Sequence, residues 1–175
     1  IKNRGEAKVI NYHSHPYFQM SNVKEATDNP LYDVAYIDIE ATDLSKKLGG
    51  MPILTKEDHK TFLKKGNPVH IVGFGMTDTD DVLVGKKFEA KIPLVRFNEG
   101  EFTIGGNRKS ACHGDSGGPA LFKIDGQYKL AGIVSRLGKG TKTHCGDLGT
   151  YGRIDLALKS VSYTHLRAHE TRHEL

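Results

Sequence analysis

Ala111-Cys112-His113-Gly114-Asp115-Ser116-Gly117-Gly118-Pro119 is the most informative stretch of the chain. A serine hydroxyl is a poor nucleophile until it is exposed, given a base, and faced by donors for the oxyanion that forms when it attacks a carbonyl. Glycine on both sides of Ser116 permits a sharp bend and lets a carbonyl come close. In such a bend the amides of Gly114 and Ser116 point at one spot, about 3 Å from a bound oxyanion. The alternative is a plain glycine-rich loop between strands. A bare Ser-Gly-Gly would fit that, but the whole Cys-x-Gly-Asp-Ser-Gly-Gly-Pro octet rarely arises by chance and favours a nucleophile loop.

Around this loop the sequence reads as short β-rich runs punctuated by turns. Twenty glycines fall mostly in pairs or at turn positions, such as Gly49-Gly50, Gly105-Gly106 and Gly117-Gly118. That pattern predicts a mostly-β chain. Strands are expected at Lys8–Tyr12, Tyr32–Ile39, Val69–Phe74, Val82–Ile92, Phe102–Ile104, Ala120–Ile124, Leu130–Ser135 and Gly149–Ile154. Asp125-Gly126 suits a hairpin tip that needs positive φ. His13 to Pro30 reads as a long loop, Leu44 to Lys56 as a connector, and Asp155 as the cap of a short helix over Leu156–Val161.

Composition narrows the function classes. Of 175 residues, 37% are hydrophobic and 26% charged, which excludes a disordered chain. No apolar run approaches the ~20 residues of a membrane-spanning helix. The net charge of +4 comes from 25 basic residues interleaved with 21 acidic ones, a solvated surface and not a nucleic-acid stripe. Two cysteines, Cys112 and Cys145, could pair once or remain as buried thiols.

The octet resembles the signature of the chymotrypsin/trypsin-like serine proteases, and further landmarks follow in that family's order over roughly residues 8–161. Asp33-Val34-Ala35-Tyr36-Ile37 is similar to the strand whose aspartate orients the catalytic histidine. His15-Pro16-x-Phe18 resembles the His-Pro-x-Tyr loop. Val72-Gly73-Phe74-Gly75 resembles Ser-Gly-Trp-Gly with Phe for Trp, and Gly132-Ile133-Val134-Ser135 the strand that holds substrate backbone. Cys145 followed by Gly149-Thr150-Tyr151 resembles Cys…Gly-Val-Tyr.

The resemblance implies an all-β double barrel and a serine endopeptidase working through a Ser-His-Asp acyl-enzyme mechanism. Ser116 would be the nucleophile, Asp33 (in preference to Asp38) the buried carboxylate, and Gly114 with Ser116 the oxyanion hole. Asp115 would pair with a new N-terminal amine after propeptide cleavage; Ile1 lacks the apolar-Gly-Gly context of such a terminus. Ser110, Ala111, His113, Ser135, Arg136, Leu137 and Gly149 would bind substrate, and Cys112–Cys145 would form a disulfide. Ser110 stands where Arg/Lys cutters carry Asp, and Leu137 where a glycine admits large side chains. Medium or small apolar side chains are therefore expected at the cleavage site. Asp147, in the pocket loop, could counter this if it pointed inward.

None of the nine histidines has the Thr-Ala-Ala-His-Cys setting of the family's base, so the base is expected upstream of Ile1 in an N-terminally truncated chain. Residues 1–54 would be the remnant of a first barrel with its connector, and 55–161 a second barrel with a terminal helix. Residues 162–175 resemble translated adapter DNA, a non-native tail. His165, His169 and His173 recur every four residues there, but the chain stops before a His-Glu-x-x-His motif is complete, and neither metal nor cofactor is expected. The reading implies a secreted, monomeric protein with protein or peptide substrates and proteinaceous inhibitors as partners, and neither nucleic acid nor membrane. The alternative is a non-catalytic protease homologue acting as a binding or regulatory module.

Overall fold

Alternating apolar residues give several strands one dry and one wet face, and the dry faces close around a common interior. In β4 (Phe88–Phe97) Ile92 and Leu94 are buried while Lys91 and Pro93 are exposed. The computed structural model describes residues 5–15, 18, 32–77, 85–106, 108–138 and 145–155. Six antiparallel strands, β3 (Pro68–Gly73), β4, β5 (Glu101–Gly105), β6 (Pro119–Ile124), β7 (Gln127–Leu137) and β8 (Leu148–Arg153), form a closed barrel in the order β3-β4-β5-β8-β7-β6. β1 (Val9–Ser14) and β2 (Ala35–Ile39) pair antiparallel as a separate two-stranded sheet. The architecture is all-β and chymotrypsin-like.

The barrel interior holds Val69, Ile92, Leu94, Phe102, Ile104, Ala120, Phe122, Ala131 and Tyr151, with Leu54 and Leu63 packed in from the preceding segment. Burying a side chain such as Leu54 or Ile104 contributes about 1.5–3 kcal/mol. Phe102 and Tyr151 stack at 5.4 Å between ring centroids, pinning β5 to β8. Asp125 (φ 49°) and Gly126 (φ 82°) turn the β6–β7 hairpin, as the Asp-Gly pair predicts.

Two helices occur here, the first in ground read as connector and the second starting at the connector's last residue and running beyond it. α1 (Asp43–Leu48) is capped by Thr42, whose side chain accepts from the Ser45 amide while Ser45 answers back to the Thr42 amide. α2 (Lys56–Phe62) uses Thr55 and Asp58 in the same way. Both starts were visible as Thr-x-x-Ser and Thr-x-x-Asp, but glycine and proline nearby masked them. α2 seats Phe62 against Phe122.

Other boundaries shift. His13 and Ser14 continue β1 instead of opening a loop, and the strand expected at Val82–Ile92 begins at Phe88 and runs on to Phe97, residues 82–84 lying outside the described residues. Ile154 and Asp155 are already helical, so Asp155 lies within the turn and does not cap it; its carboxylate is held by Arg153. The helix expected at Leu156–Val161, the tail 162–175, Pro16 and most of the His13–Pro30 loop lie outside the described residues.

Candidate active site

The loop before β6 is a pair of consecutive turns: the Asp115 amide donates to the Cys112 carbonyl at 3.0 Å, and the Gly118 amide to the Asp115 carbonyl at 2.8 Å. Gly114 (φ 91°) and Gly117 (φ 81°) occupy the left-handed region that such a double turn demands. Ser116 stands exposed between them. β7 anchors the bend, because Gly117 donates to the Val134 carbonyl at 3.0 Å and Val134 to the Gly118 carbonyl at 2.9 Å. Among the described residues the amides of Gly114 and Ser116 donate to no protein group, whereas those of Asp115 and Gly117 on either side do.

Asp33 reaches the same strand from the other direction. β7 carries a bulge opposite β8: Val134 pairs with Tyr151 and Arg136 with Thr150, leaving Ser135 as the extra residue. A bulge re-aims its side chain, and here the Ser135 hydroxyl donates to Asp33 Oδ2 at 2.7 Å. The Asp33 carbonyl packs on β8 where Gly152 leaves room; a Cβ there would sit 3.2 Å from it. Asp33 and the Gly117-Gly118 pair that follows Ser116 are thus both tied to the Val134–Ser135 segment.

A cavity of about 190 Å³ opens beside Ser116, lined by Ala111, Cys112, His113, Val134, Arg136, Leu137 and Gly149. Sequence reading named all of these except Val134 as substrate-binding or disulfide residues. Arg136 is fixed there by a two-pronged ion pair with Glu101, at 2.5 and 2.8 Å, so this wall is charge-compensated. Tyr151 lies behind Gly149; its buried hydroxyl has no partner among the described residues, and burial, with the Asp115 charge as a smaller cause, pushes its pKa up. Neither Glu101 nor Tyr151 was singled out as a site residue, since neither carries a local signal at the level of sequence.

Ser110 is placed differently from the other candidate pocket residues. It lines a neighbouring cavity of about 470 Å³ together with Gly73, Gly75, Arg108, Asp115 and Gly146. Its hydroxyl donates to the Ala111 carbonyl at 2.9 Å and accepts from the Gly146 amide at 2.8 Å. Asp147 is not part of the Ser116 cavity's wall. Asp115 turns its carboxylate inward, Oδ1 accepting from the Gly75 amide at 2.8 Å and Oδ2 from the Cys112 amide at 2.9 Å. A Cβ at Gly73 or Gly75 would collide with that carboxylate, which is why the Val-Gly-Phe-Gly run carries glycine there. Cys112 and Cys145 are disulfide-bonded, with Cα atoms 5.0 Å apart.

Among the described residues no histidine side chain hydrogen-bonds or ion-pairs with Asp33 or Ser116. His13 pairs with Asp38 at 3.3 Å, and His59 lies 3.2 Å from Asp155. His15 stacks on Tyr32 at 4.4 Å, and burial lowers its pKa. No cluster of metal-ligating side chains occurs among the described residues.

A closed antiparallel barrel with a glycine-flanked serine on its rim, and an aspartate held to the same strand, places the molecule in the chymotrypsin-like class. The chain belongs to the trypsin family, whose sequence model matches residues 2–159. It is 29% identical over 138 residues to chymotrypsin-like elastase family member 1 of Felis catus, covering 69% of this chain and 48% of that protein. The Homo sapiens counterpart is 26% identical over 135 residues, covering 69% and 50%. Vitamin K-dependent protein C of Oryctolagus cuniculus is 38% identical over 65 residues, covering 37% of this chain and 13% of that protein. The chain spans about half the length of the elastase relatives it matches.

Proposed function

We propose that the protein is a secreted serine endopeptidase that cleaves peptide bonds through an acyl-enzyme on Ser116. Asp33 holds and stabilises a histidine base, and the free amides of Gly114 and Ser116 receive the oxyanion. The observation that carries this reading is the joint anchoring on β7 of the Ser116 loop, through Gly117 and Gly118 on Val134, and of Asp33, through Ser135. β1 and β2, within residues 1–54, belong to a first barrel with its connector, and residues 55–161 to a second barrel.

The small cavity beside Ser116, narrowed by Leu137 and without Ser110 on its wall, supports a preference for medium or small apolar side chains and not for Arg or Lys. The inward carboxylate of Asp115, at the edge of the 470 Å³ cavity, supports its pairing with an N-terminal ammonium on activation.

The full-length protein tests the reading. A fluorophosphonate probe is expected to label Ser116, with labelling abolished in Ser116→Ala and strongly slowed in Asp33→Asn. A full-length protein that folds but takes no label at Ser116 is a non-catalytic homologue. Gain of Arg/Lys cleavage in Ser110→Asp would show that Ser110 reaches the substrate after all.

A further inference from the structure

The outer wall of the barrel carries a second concave site that serine chemistry does not use. A cleft of about 350 Å³ lies across β3, β4, β6 and β7, lined by His70, Val72, Glu89, Lys91, Leu121 and Tyr128. Strand register brings these groups together: His70 stands opposite Lys91 on one side and Leu121 on the other, Val72 opposite Glu89, and Lys123 opposite Tyr128. The His70 ring meets Tyr128 edge-on at 5.1 Å, and Lys123 Nζ lies 5.5 Å from the Tyr128 ring centroid. Tyr128 is 39% exposed.

The charge pattern selects a ligand class. Neither Lys91 nor Lys123 has a carboxylate partner among the described residues, and neither does Glu89 an ammonium. Two ammonium groups without a carboxylate partner, one of them resting over the Tyr128 ring, call for an anion. An unpaired carboxylate two residues from Lys91 on the same strand, and an aromatic side chain, call for hydroxyl donors and a flat apolar C–H surface. A densely charged polyphosphate meets only the first requirement and is repelled by Glu89. A sugar ring bearing both hydroxyls and sulfate meets all three.

We propose that this cleft binds a sulfated polysaccharide, with Lys91 and Lys123 on a sulfate, Glu89 accepting ring hydroxyls, and a pyranose face on Tyr128. His70 sits at the hub. Burial and the ammonium groups of Lys91 and Lys123 hold its imidazole below its ordinary pKa, with Glu89 acting in the opposite sense. A sulfate seated there offsets the two lysines and raises the His70 pKa. None of these side chains lines the cavity beside Ser116, so the site stands or falls independently of the protease reading.

The test is calorimetric titration of the 175-residue chain with a heparin-derived hexasaccharide, an uncharged hexasaccharide and a single-stranded oligonucleotide of matched charge, at low and high salt. Saturable binding of the heparin fragment is expected, weakened at high salt. Lys91→Gln/Lys123→Gln should weaken it at least tenfold and Tyr128→Ala severalfold, whereas Lys46→Gln/Lys47→Gln on α1 should leave it unchanged. Amide shifts on binding should centre on His70, Lys91, Leu121 and Tyr128, and the His70 titration should move to higher pH. All the substituted groups are solvent-exposed, and unchanged thermal midpoints check the folding of each variant. The proposal is overturned by absence of saturable binding, by equal loss in the α1 variant, or by equal affinity for the oligonucleotide.

Discussion

The Ser135 hydroxyl donates to Asp33 Oδ2 at 2.7 Å, joining positions 102 residues apart. This bond fastens the segment before β2 to the barrel and fixes the carboxylate beside the strand that carries the Ser116 loop. A hydrogen bond to a charged group contributes about 1.5–3 kcal/mol. Ser135→Ala is therefore expected to lower the unfolding free energy by that amount, seen as a lower urea midpoint at unchanged m, and Asp33→Ala to do the same. An unshifted midpoint in both variants would show that the bond carries no stability.

Glu101 and Arg136 pose a different question. Their side chains are 5% and 16% exposed, and the pair spans β5 and β7. Losing one partner strands the other in a dry site, a cost of about 3–5 kcal/mol, whereas replacing both with apolar residues of similar size removes the desolvation penalty along with the attraction. Glu101→Gln should be severely destabilised by thermal melting. Glu101→Leu/Arg136→Met should recover most of the loss, an outcome that additive single effects would not give.

His59 supplies a pH dependence. It is 2% exposed, and burial is the largest cause holding its pKa down at about 4; Asp155 pulls upward, but Arg153 already neutralises that carboxylate and opposes the pull. The unfolded chain takes up this proton near 6.5, the native one only near 4. Between those values the unfolded state binds more protons, so stability falls as pH drops from about 6.5 toward 4 and is fully present above 6.5. At about 1.4 kcal/mol per unit, the loss by pH 4.5 is about 2–3 kcal/mol. Urea melts at pH 7 and 4.5 should show it, and His59→Phe should shrink the difference.

Much of the barrel was legible because strand periodicity, glycine turns and the Asp125-Gly126 tip are local signals. The octet around Ser116 was legible for the same reason: its double turn is written in consecutive residues. What stayed hidden depends on register. The Ser135 bulge, the Glu101–Arg136 pair and the outer-wall cleft exist only because particular residues face one another across strands, and no window along the chain records that. The helices α1 and α2 show the opposite failure, in which capping signals were present but glycine and proline between them argued for loop.

Tyr151 tests the cost of an unmet polar atom. Its hydroxyl is buried without a partner among the described residues, and burial raises its pKa. Tyr151→Phe keeps the stack on Phe102 and removes the orphan oxygen. Such a change is expected to be neutral or stabilising by about 1 kcal/mol. A clear loss of stability in thermal melts would instead reveal a bound water bridging that hydroxyl to the cavity beside Ser116.

The Cys112–Cys145 disulfide closes a loop of 33 residues, which in the chain-entropy description stabilises the fold by about 3.7 kcal/mol. Its effect is also local. Cys112 donates its amide to Asp115, and next to Cys145 the Gly146 amide donates to Ser110 Oγ, so the bond clamps the partition between the two cavities. Cys112→Ala/Cys145→Ala should lower the unfolding free energy by about that amount. In native-state hydrogen exchange the Gly146 amide should lose more protection than the Gly75 amide, because Gly75 remains held by Asp115 on the opposite side. Equal loss at both amides would mean that the disulfide acts on the unfolded chain alone and leaves the partition intact without it.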